Sequence, residues 1–322
     1  MRDLRSLALP CYLSSLHSSL DLRRSLLPNS SADQPLALVN ATLAFTESYP
    51  GADLPAGETA CSQREWDGTV CEVRRDQLLD ECSQVHRARL LAACAPHSGA
   101  WLQAVPLRSL GLHLDDETVR IAVGLRLGAK VCEPHRCRCG SQVGALGHHG
   151  LSCRFSAGRF PRHANLNDVV KRGLAAAGVP SCLEPLGLDR GDGKRPDGLT
   201  VFPFSGGRSL CWDATCVDSF CQSSLTDCAL QPGAAADAAE AKKRVHYRSI
   251  ATRYRFEPLA VETTGVFGRS SAKFVAELGR RISAATGQRR ELEWLRQRLS
   301  VAVVRGNAAA VLASGRMASM LI

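Results

Sequence analysis

The stretch GDGKRPDGLTVFPFSGGRSLCWDATCVD, residues 191–218, reads as two short strands joined by a turn. Gly191, Gly193 and Gly198 punctuate its start, and Leu199, Val201 and Phe202 form an apolar run. Ser205-Gly206-Gly207 supplies the turn, and Leu210, Cys211 and Trp212 open a second apolar run. Each run carries one carboxylate, Asp197 and then Asp213. A hairpin can bring such residues together on one face. Two acids held side by side repel each other, and a divalent cation is the usual reason a protein tolerates that.

Upstream lies a second cluster. Cys132, His135, Cys137, Cys139, His148, His149 and Cys153 are interleaved with Gly140, Gly144, Gly147 and Gly150. Thiols and imidazoles close together, separated by glycine turns, are the material of a tetrahedral zinc site. The best-fitting set is Cys137, Cys139, His149 and Cys153. The spacing leaves open whether Cys132 or His135 replaces Cys137, and whether His148 replaces His149. After this cluster comes a basic run, RFPRHAN, residues 159–165, followed by a helix with Asn165 as its cap and Leu166, Val169, Val170 and Leu174 on one face. Asp168 in its first turn serves the helix dipole or a metal equally well.

Downstream, residues 234–254 read as one helix on which Lys243, Tyr247, Ile250 and Tyr254 share a face. A lysine on a partly apolar face either snorkels or points its cation into a carboxylate site. Pro258 to Glu262 then reads as a strand. Two helices follow, over roughly 270–285 and 291–304, the second with Trp294, Leu295 and Leu299 facing in.

The N-terminal third carries no catalytic constellation. Residues 1–30 read as a helix ended by Pro28-Asn29, residues 31–60 as a loosely packed linker, and residues 73–104 as helical with Leu78, Leu79, Cys82, Leu90, Leu91 and Trp101 as core. Asp115 and Asp116 open a further helix as capping residues. The division expected is a mainly helical region 1–130, a zinc knuckle 131–155, an α/β (α+β) core 156–268, and basic C-terminal helices 269–322.

Charge is unevenly spread. Residues 1–135 hold 13 Lys/Arg against 16 Asp/Glu, residues 136–239 hold 11 against 9, and residues 240–322 hold 16 against 6. The local balances of −3, +2 and +10 place the positive block at the C-terminal end, which suits a polyanion such as nucleic acid. No apolar run spans a bilayer and no uninterrupted apolar leader opens the chain, so the expected location is the nucleus or cytoplasm, with the 14 cysteines as thiols or metal ligands.

Taken together, the Cys/His cluster, RHANLNDVV, EPLGL, DGKRPDG, LCWDATCVD, AEAKKRVHY and FEPLAVETTG resemble the C-terminal restriction-like endonuclease region of LINE-type (non-LTR) retrotransposon polyproteins, strongly over about residues 130–265. There, a zinc knuckle precedes a PD-(D/E)xK core with a central mixed sheet flanked by helices. The resemblance implies a metal-dependent DNA endonuclease that nicks target DNA. Asp197 and Asp213 would bind magnesium or manganese, and Lys243 would stabilise the attacking water or the developing charge. Arg162, His163, Lys194 and Arg195 would hold DNA, with the element's RNA as a further partner. Glu184 and Glu262 are auxiliary acids or packing residues. The second strand carries Thr215 where the common pattern has lysine, and Lys243 on the following helix replaces it. The chain has no Tyr/Phe-Ala-Asp-Asp polymerase motif, which makes it, on this resemblance, a fragment without reverse-transcriptase catalysis.

Overall fold

A computed structural model describes residues 2–26, 36–188 and 195–314. The fold is mixed α/β and divides into two compact units, Met1–Cys82 and Ser83–Ile322.

The first unit is helical. Helices α1 (Arg2–Leu26), α2 (Leu36–Ser48) and α3 (Gln63–Glu81) enclose Leu13, Leu38, Phe45, Trp66 and Val70. Phe45 meets the Trp66 ring edge-on, centroids 5.0 Å apart, and the indole N–H donates to the Ala60 carbonyl at 2.8 Å. Within 31–60, expected as a linker or loosely packed segment, residues 36–48 instead form a helix whose Leu38, Ala41 and Phe45 recur at helical spacing and are buried. Leu78, expected in a core, is 53% exposed.

The second unit contains everything else. Helices α4 (Gln84–Cys94) and α5 (Asp116–Leu127), expected within the helical region 1–130, belong to it. The Asp115 carboxylate caps α5, accepting from the Thr118 N–H at 2.9 Å and the Thr118 hydroxyl at 3.0 Å. A small hairpin, β1 (His135–Arg136) with β2 (Gln142–Val143), and a short helix α6 (His148–Ser152) form the knuckle. Helix α7 (Arg159–Ala176) follows, beginning six residues before the expected Asn165 cap.

The sheet has the order β3 (Ser181–Leu183), β4 (Gly198–Ser205), β5 (Arg208–Val217), β6 (Arg255–Glu262). The first three strands are antiparallel neighbours, and β6 runs parallel to β5. The β4–β5 turn is the expected one. Gly206 and Gly207 have φ of +56° and +71°, as a tight hairpin turn between right-twisted strands requires. The crossover from β5 to β6 carries helices α8 (Leu225–Leu230) and α9 (Ala234–His246). Helix α9 stops at His246 rather than continuing to Tyr254, because Tyr247 and Ile250 turn in to pack with Cys211 and Phe256.

Side chains alternate along β5. Leu210, Trp212 and Ala214 enter the main core with Leu166, Val170 and Leu174 of α7. The opposite face presents Cys211, Asp213 and Thr215 toward the α9 side. Helices α10 (Arg269–Thr286) and α11 (Glu291–Leu312) complete that main core through Phe274, Leu278, Ile282, Leu295, Leu299 and Val303. These are the helices expected as C-terminal basic helices over 269–322; α11 is buried along most of its length, although Trp294, expected to face in, is only half-buried. Two arginines of this segment are paired locally, Arg281 with Glu277, which also pairs with Arg255 of β6, and Arg290 with Glu293.

Candidate functional site

The step from Pro196 to Gly198 places Asp197 at the start of β4, where Gly198 pairs with Trp212 and a Cβ on it would lie 2.0 Å from the indole ring. Only glycine lets the two strands approach so closely here. The Asp197 carboxylate then accepts from the Ala214 N–H at 2.6 Å, one residue beyond Asp213. From α7, the His163 imidazole reaches the same Asp197 oxygen at 2.9 Å. One turn further along α7, buried Asn167 accepts from the Trp212 indole N–H at 3.0 Å, tying the helix to the strand that carries Asp213. From α9, the Lys243 ammonium donates to Asp213 at 2.7 Å. Donor atoms of His163, Asp197 and Asp213 all lie within 4.8 Å of one another.

These groups change one another's protonation. Burial pushes the Asp213 carboxyl up to about 6, reinforced by the Asp197 charge and opposed by Lys243. Burial also raises Asp197, but the hydrogen bond and charge of His163, with the bonds from Asp213 and Ala214, outweigh it and leave Asp197 below its ordinary value. The hydrogen bond to Asp197 raises His163 above the ordinary histidine value against its own burial. The centre thus gathers two carboxylates, an imidazole and the Lys243 ammonium at one spot.

Lysine reaches this point because α9 is anchored from outside. Glu240 accepts from the Ser270 N–H at 3.0 Å, and from the N–H and hydroxyl of Ser271 at 2.8 and 2.6 Å. Asp237 accepts from the Arg269 N–H at 2.7 Å. Two carboxylates of α9 therefore satisfy the orphan donors of α10's first turn. The Ser271 hydroxyl also meets the Ala260 N–H at 2.7 Å and the Pro258 carbonyl at 3.1 Å, fixing both helices to β6. No sequence pattern pointed to Glu240. Glu262 is equally structural: fully buried, it accepts from the Ser219 hydroxyl at 3.0 Å and from the Ala235 N–H at 3.1 Å, at the start of α9.

Of the four residues expected to hold nucleic acid, Arg162 is buried and His163 is drawn into the acid centre. Arg162 is 3% exposed; its guanidinium donates to Asn307 at 2.6 Å and to the Leu151 carbonyl at 3.2 Å, so it presents no surface to a phosphate. His163 belongs to the acid centre. Arg195 pairs with Glu184 and remains partly exposed, and Lys194 lies outside the described residues. Glu184 is thereby accounted for, and Asp168 pairs with Arg172 at 2.7 Å on the surface. A cleft of about 520 Å³ opens beside Asp213 and Lys243, floored by Thr215 and Val217 and walled by Ala234, Ala235, Ala238 and Ala239 of α9.

The knuckle forms a second centre. Donor atoms of Cys137, Cys139, His149 and Cys153 lie within 4.8 Å of one another, with Cys137 and Cys153 sulfurs 3.7 Å apart and the Cys139 sulfur 3.2 Å from His149 Nε2. This Cys₃His set could hold a metal such as zinc. Hydrogen bonds from Ser141, with smaller contributions from the Cys137 and Cys153 thiols, hold the Cys139 thiol down at about 6, favouring the thiolate a metal needs. The alternatives fall away for local reasons. Cys132 donates to the Gly144 carbonyl at 3.4 Å, and His135 is engaged by the Glu133 and Ser314 carbonyls. His148 stacks on Phe220 with centroids 4.0 Å apart, and burial pulls it down to about 4.

No family model matches this chain, and no curated protein matches it. Among the described residues, no helix is long and apolar enough to cross a membrane.

Proposed function

We propose that the chain is a metal-dependent DNA endonuclease of the restriction-like type, with the retrotransposon resemblance as its family reading. The observation that carries this is the convergence of Asp197, Asp213, His163 and Lys243, from three separate segments, on one partly buried spot. The two carboxylates would offer oxygen ligands to a small divalent cation such as magnesium or manganese that completes its shell with water, leaving the His163 imidazole to proton transfer. When bound, such an ion polarises a phosphoryl oxygen and lowers the pKa of a bound water.

The chain's own residues then have distinct tasks. Asp197, held by the Ala214 N–H, fixes the position of the carboxylate pair. His163, oriented by Asp197, is placed to accept or return a proton. Lys243 supplies a fixed positive charge to offset the phosphorane charge as it develops, provided its contact with Asp213 exchanges when a phosphate enters. Zinc at Cys137, Cys139, His149 and Cys153 has a structural role. DNA is the proposed partner, RNA of the element a second one, and the nucleus the place of action.

Supercoiled plasmid with magnesium tests this. The parent protein is expected to convert it to nicked circle, and Asp213→Ala and Lys243→Met to lose at least about 100-fold in rate. Equal nicking by parent and Asp213→Ala, or none by the parent, refutes the reading.

A further inference from the structure

Between the last knuckle ligand, Cys153, and His163 of the acid centre runs RFSAGRF, residues 154–160, with the pair Arg-Phe at each end. Phe155 is 53% exposed and Phe160 is 84% exposed. Arg154 and Arg159 are exposed as well. Large aromatic side chains normally bury in a chain of this size, so two on one short segment call for a cause.

The cause is not a loose loop. Ser156 is buried, and its hydroxyl accepts from the Gly158 N–H at 3.3 Å. A Cβ on Gly158 would lie 2.2 Å from the Gly306 carbonyl oxygen, so this backbone is pressed against α11. The Gly158 carbonyl accepts from the Arg162 N–H at 3.1 Å, and buried Arg162 locks to Asn307 and Leu151. A Cβ on Gly306 would in turn meet that of Arg162 at 2.4 Å. Cys153, Ser156, Gly158 and Arg162 are therefore fixed points, and the phenylalanines stand on residues between them. Their exposure is held in place by these buried contacts.

Position and charge say what the rings meet. Phe160 and His163 are three apart in the first turn of α7, hence on one side of it, and His163 touches Asp197. From residue 134 to 167 the chain has five arginines and neither Asp nor Glu. The Arg154 guanidinium lies over the Phe155 ring at 4.7 Å, leaving a flat cationic and aromatic surface. Exposed rings on an arginine-bearing segment that itself carries no acid are the elements by which proteins grip unpaired nucleic acid strands.

We propose that residues 154–160 form a stacking platform for unpaired bases of the DNA strand whose backbone enters the acid centre, with Phe160 as the principal stacking residue. The location of the strand rests on the nuclease reading; the stacking itself does not. The platform holds the bases beside the scissile phosphate out of the duplex, which makes a locally melted or single-stranded segment a better ligand than a closed duplex of the same sequence.

The test uses the whole chain, a short single-stranded oligodeoxynucleotide carrying 2-aminopurine, and its duplex, without added magnesium. Binding quenches 2-aminopurine in the single strand. Phe160→Ala is expected to weaken single-strand binding about 5- to 150-fold, with duplex binding changing much less. Phe160→Trp retains binding, whereas Phe160→Leu, apolar but without a ring, behaves as Phe160→Ala. Because Phe160 is exposed, all three variants keep the parent melting temperature. The same pattern persists when Asp213 is replaced by Ala, since binding needs no cleavage. If the parent does not nick but Phe160 governs binding, the nuclease reading fails and the platform stands. Phe160→Ala binding within about twofold of the parent, or Phe160→Leu equalling Phe160→Trp, overturns the platform whether or not plasmid is nicked.

Discussion

Replacing Glu240 removes the part that holds Lys243 in place without touching the acid centre. Glu240 is 6% exposed and makes three charge-assisted hydrogen bonds, to the Ser270 N–H, the Ser271 N–H and the Ser271 hydroxyl, at 3.0, 2.8 and 2.6 Å. A bond to a charged acceptor contributes about 1.5–3 kcal/mol, but three bonds to one carboxylate are not independent. Losing a helix cap alone costs about 1 kcal/mol. Taking the set as more than one bond and less than the sum gives a cost for Glu240→Ala of about 3 kcal/mol. In a unit of this size that lowers the melting temperature by about 6–12 °C. Glu240→Gln keeps one acceptor and the shape, and is expected to cost about half as much.

A neighbouring glycine makes the reasoning refutable. Gly268 has φ −63° and ψ 158°, a conformation alanine adopts freely. Its three nearest prospective contacts are all Glu240 atoms, with the carboxylate oxygen only 2.2 Å from a Cβ placed there. Gly268→Ala should therefore be destabilising by expelling Glu240, and nearly harmless once Glu240 is already Ala. Differential scanning calorimetry of the full chain measures this, reading the transition that metal chelation also shifts, since the knuckle lies in the same unit. If Gly268→Ala costs as much in the Glu240→Ala background as in the parent, the two residues are not coupled and the clamp is refuted.

Two further outcomes follow from the site. The folded-state pKa of Asp213, about 6, lies above its ordinary 3.8, so this carboxyl holds more proton in the folded than in the unfolded chain between those values. This group's contribution to stability thus falls as pH rises from about 4 to 6, and Asp213→Asn should gain stability relative to the parent across that window; urea denaturation at both ends measures it, and a gain in the opposite direction refutes the assignment. At the knuckle, metal analysis should find zinc in the parent and its loss in Cys137→Ser, Cys139→Ser, His149→Ala and Cys153→Ser, but retention in Cys132→Ser and His148→Gln; retention in all six would remove the Cys₃His assignment.

The hairpin was legible because its signals are local. Alternation, a Gly-Gly turn and flanking glycines specify β4 and β5 whatever the rest of the chain does. Lys243 was picked out from a face shared with Tyr247, Ile250 and Tyr254 on one long helix, but α9 ends at His246, and what brings Lys243 to Asp213 is the crossover between the parallel strands β5 and β6. Choosing His149 over His148 was not decidable from spacing. Two adjacent histidines in a short helix point different ways, and what separates them is Phe220, a residue distant in sequence whose ring covers one of them. Arg162 and His163 show the same limit. They are adjacent in a basic run, yet the turn of α7 sends Arg162 inward toward α11 and His163 toward Asp197.

This difference in legibility has a physical basis that bears on the site itself. Each charged group at the centre is set by a partner whose location depends on tertiary packing: Asp197 by Ala214, His163 by Asp197, Lys243 by Asp213 and, at one remove, by Glu240 through α10. Pattern reading finds the carboxylates, because strands and turns announce themselves. It misses the residues that aim the other groups, because a buried glutamate three positions before a lysine looks like any polar helix pair. Burying Glu240 is worthwhile only because its carboxylate meets the free N–H groups of α10, and α10 is placed by the core beneath β6. The acid centre therefore depends on helices drawn from the same stretch, 240–322, that carries the positive charge balance.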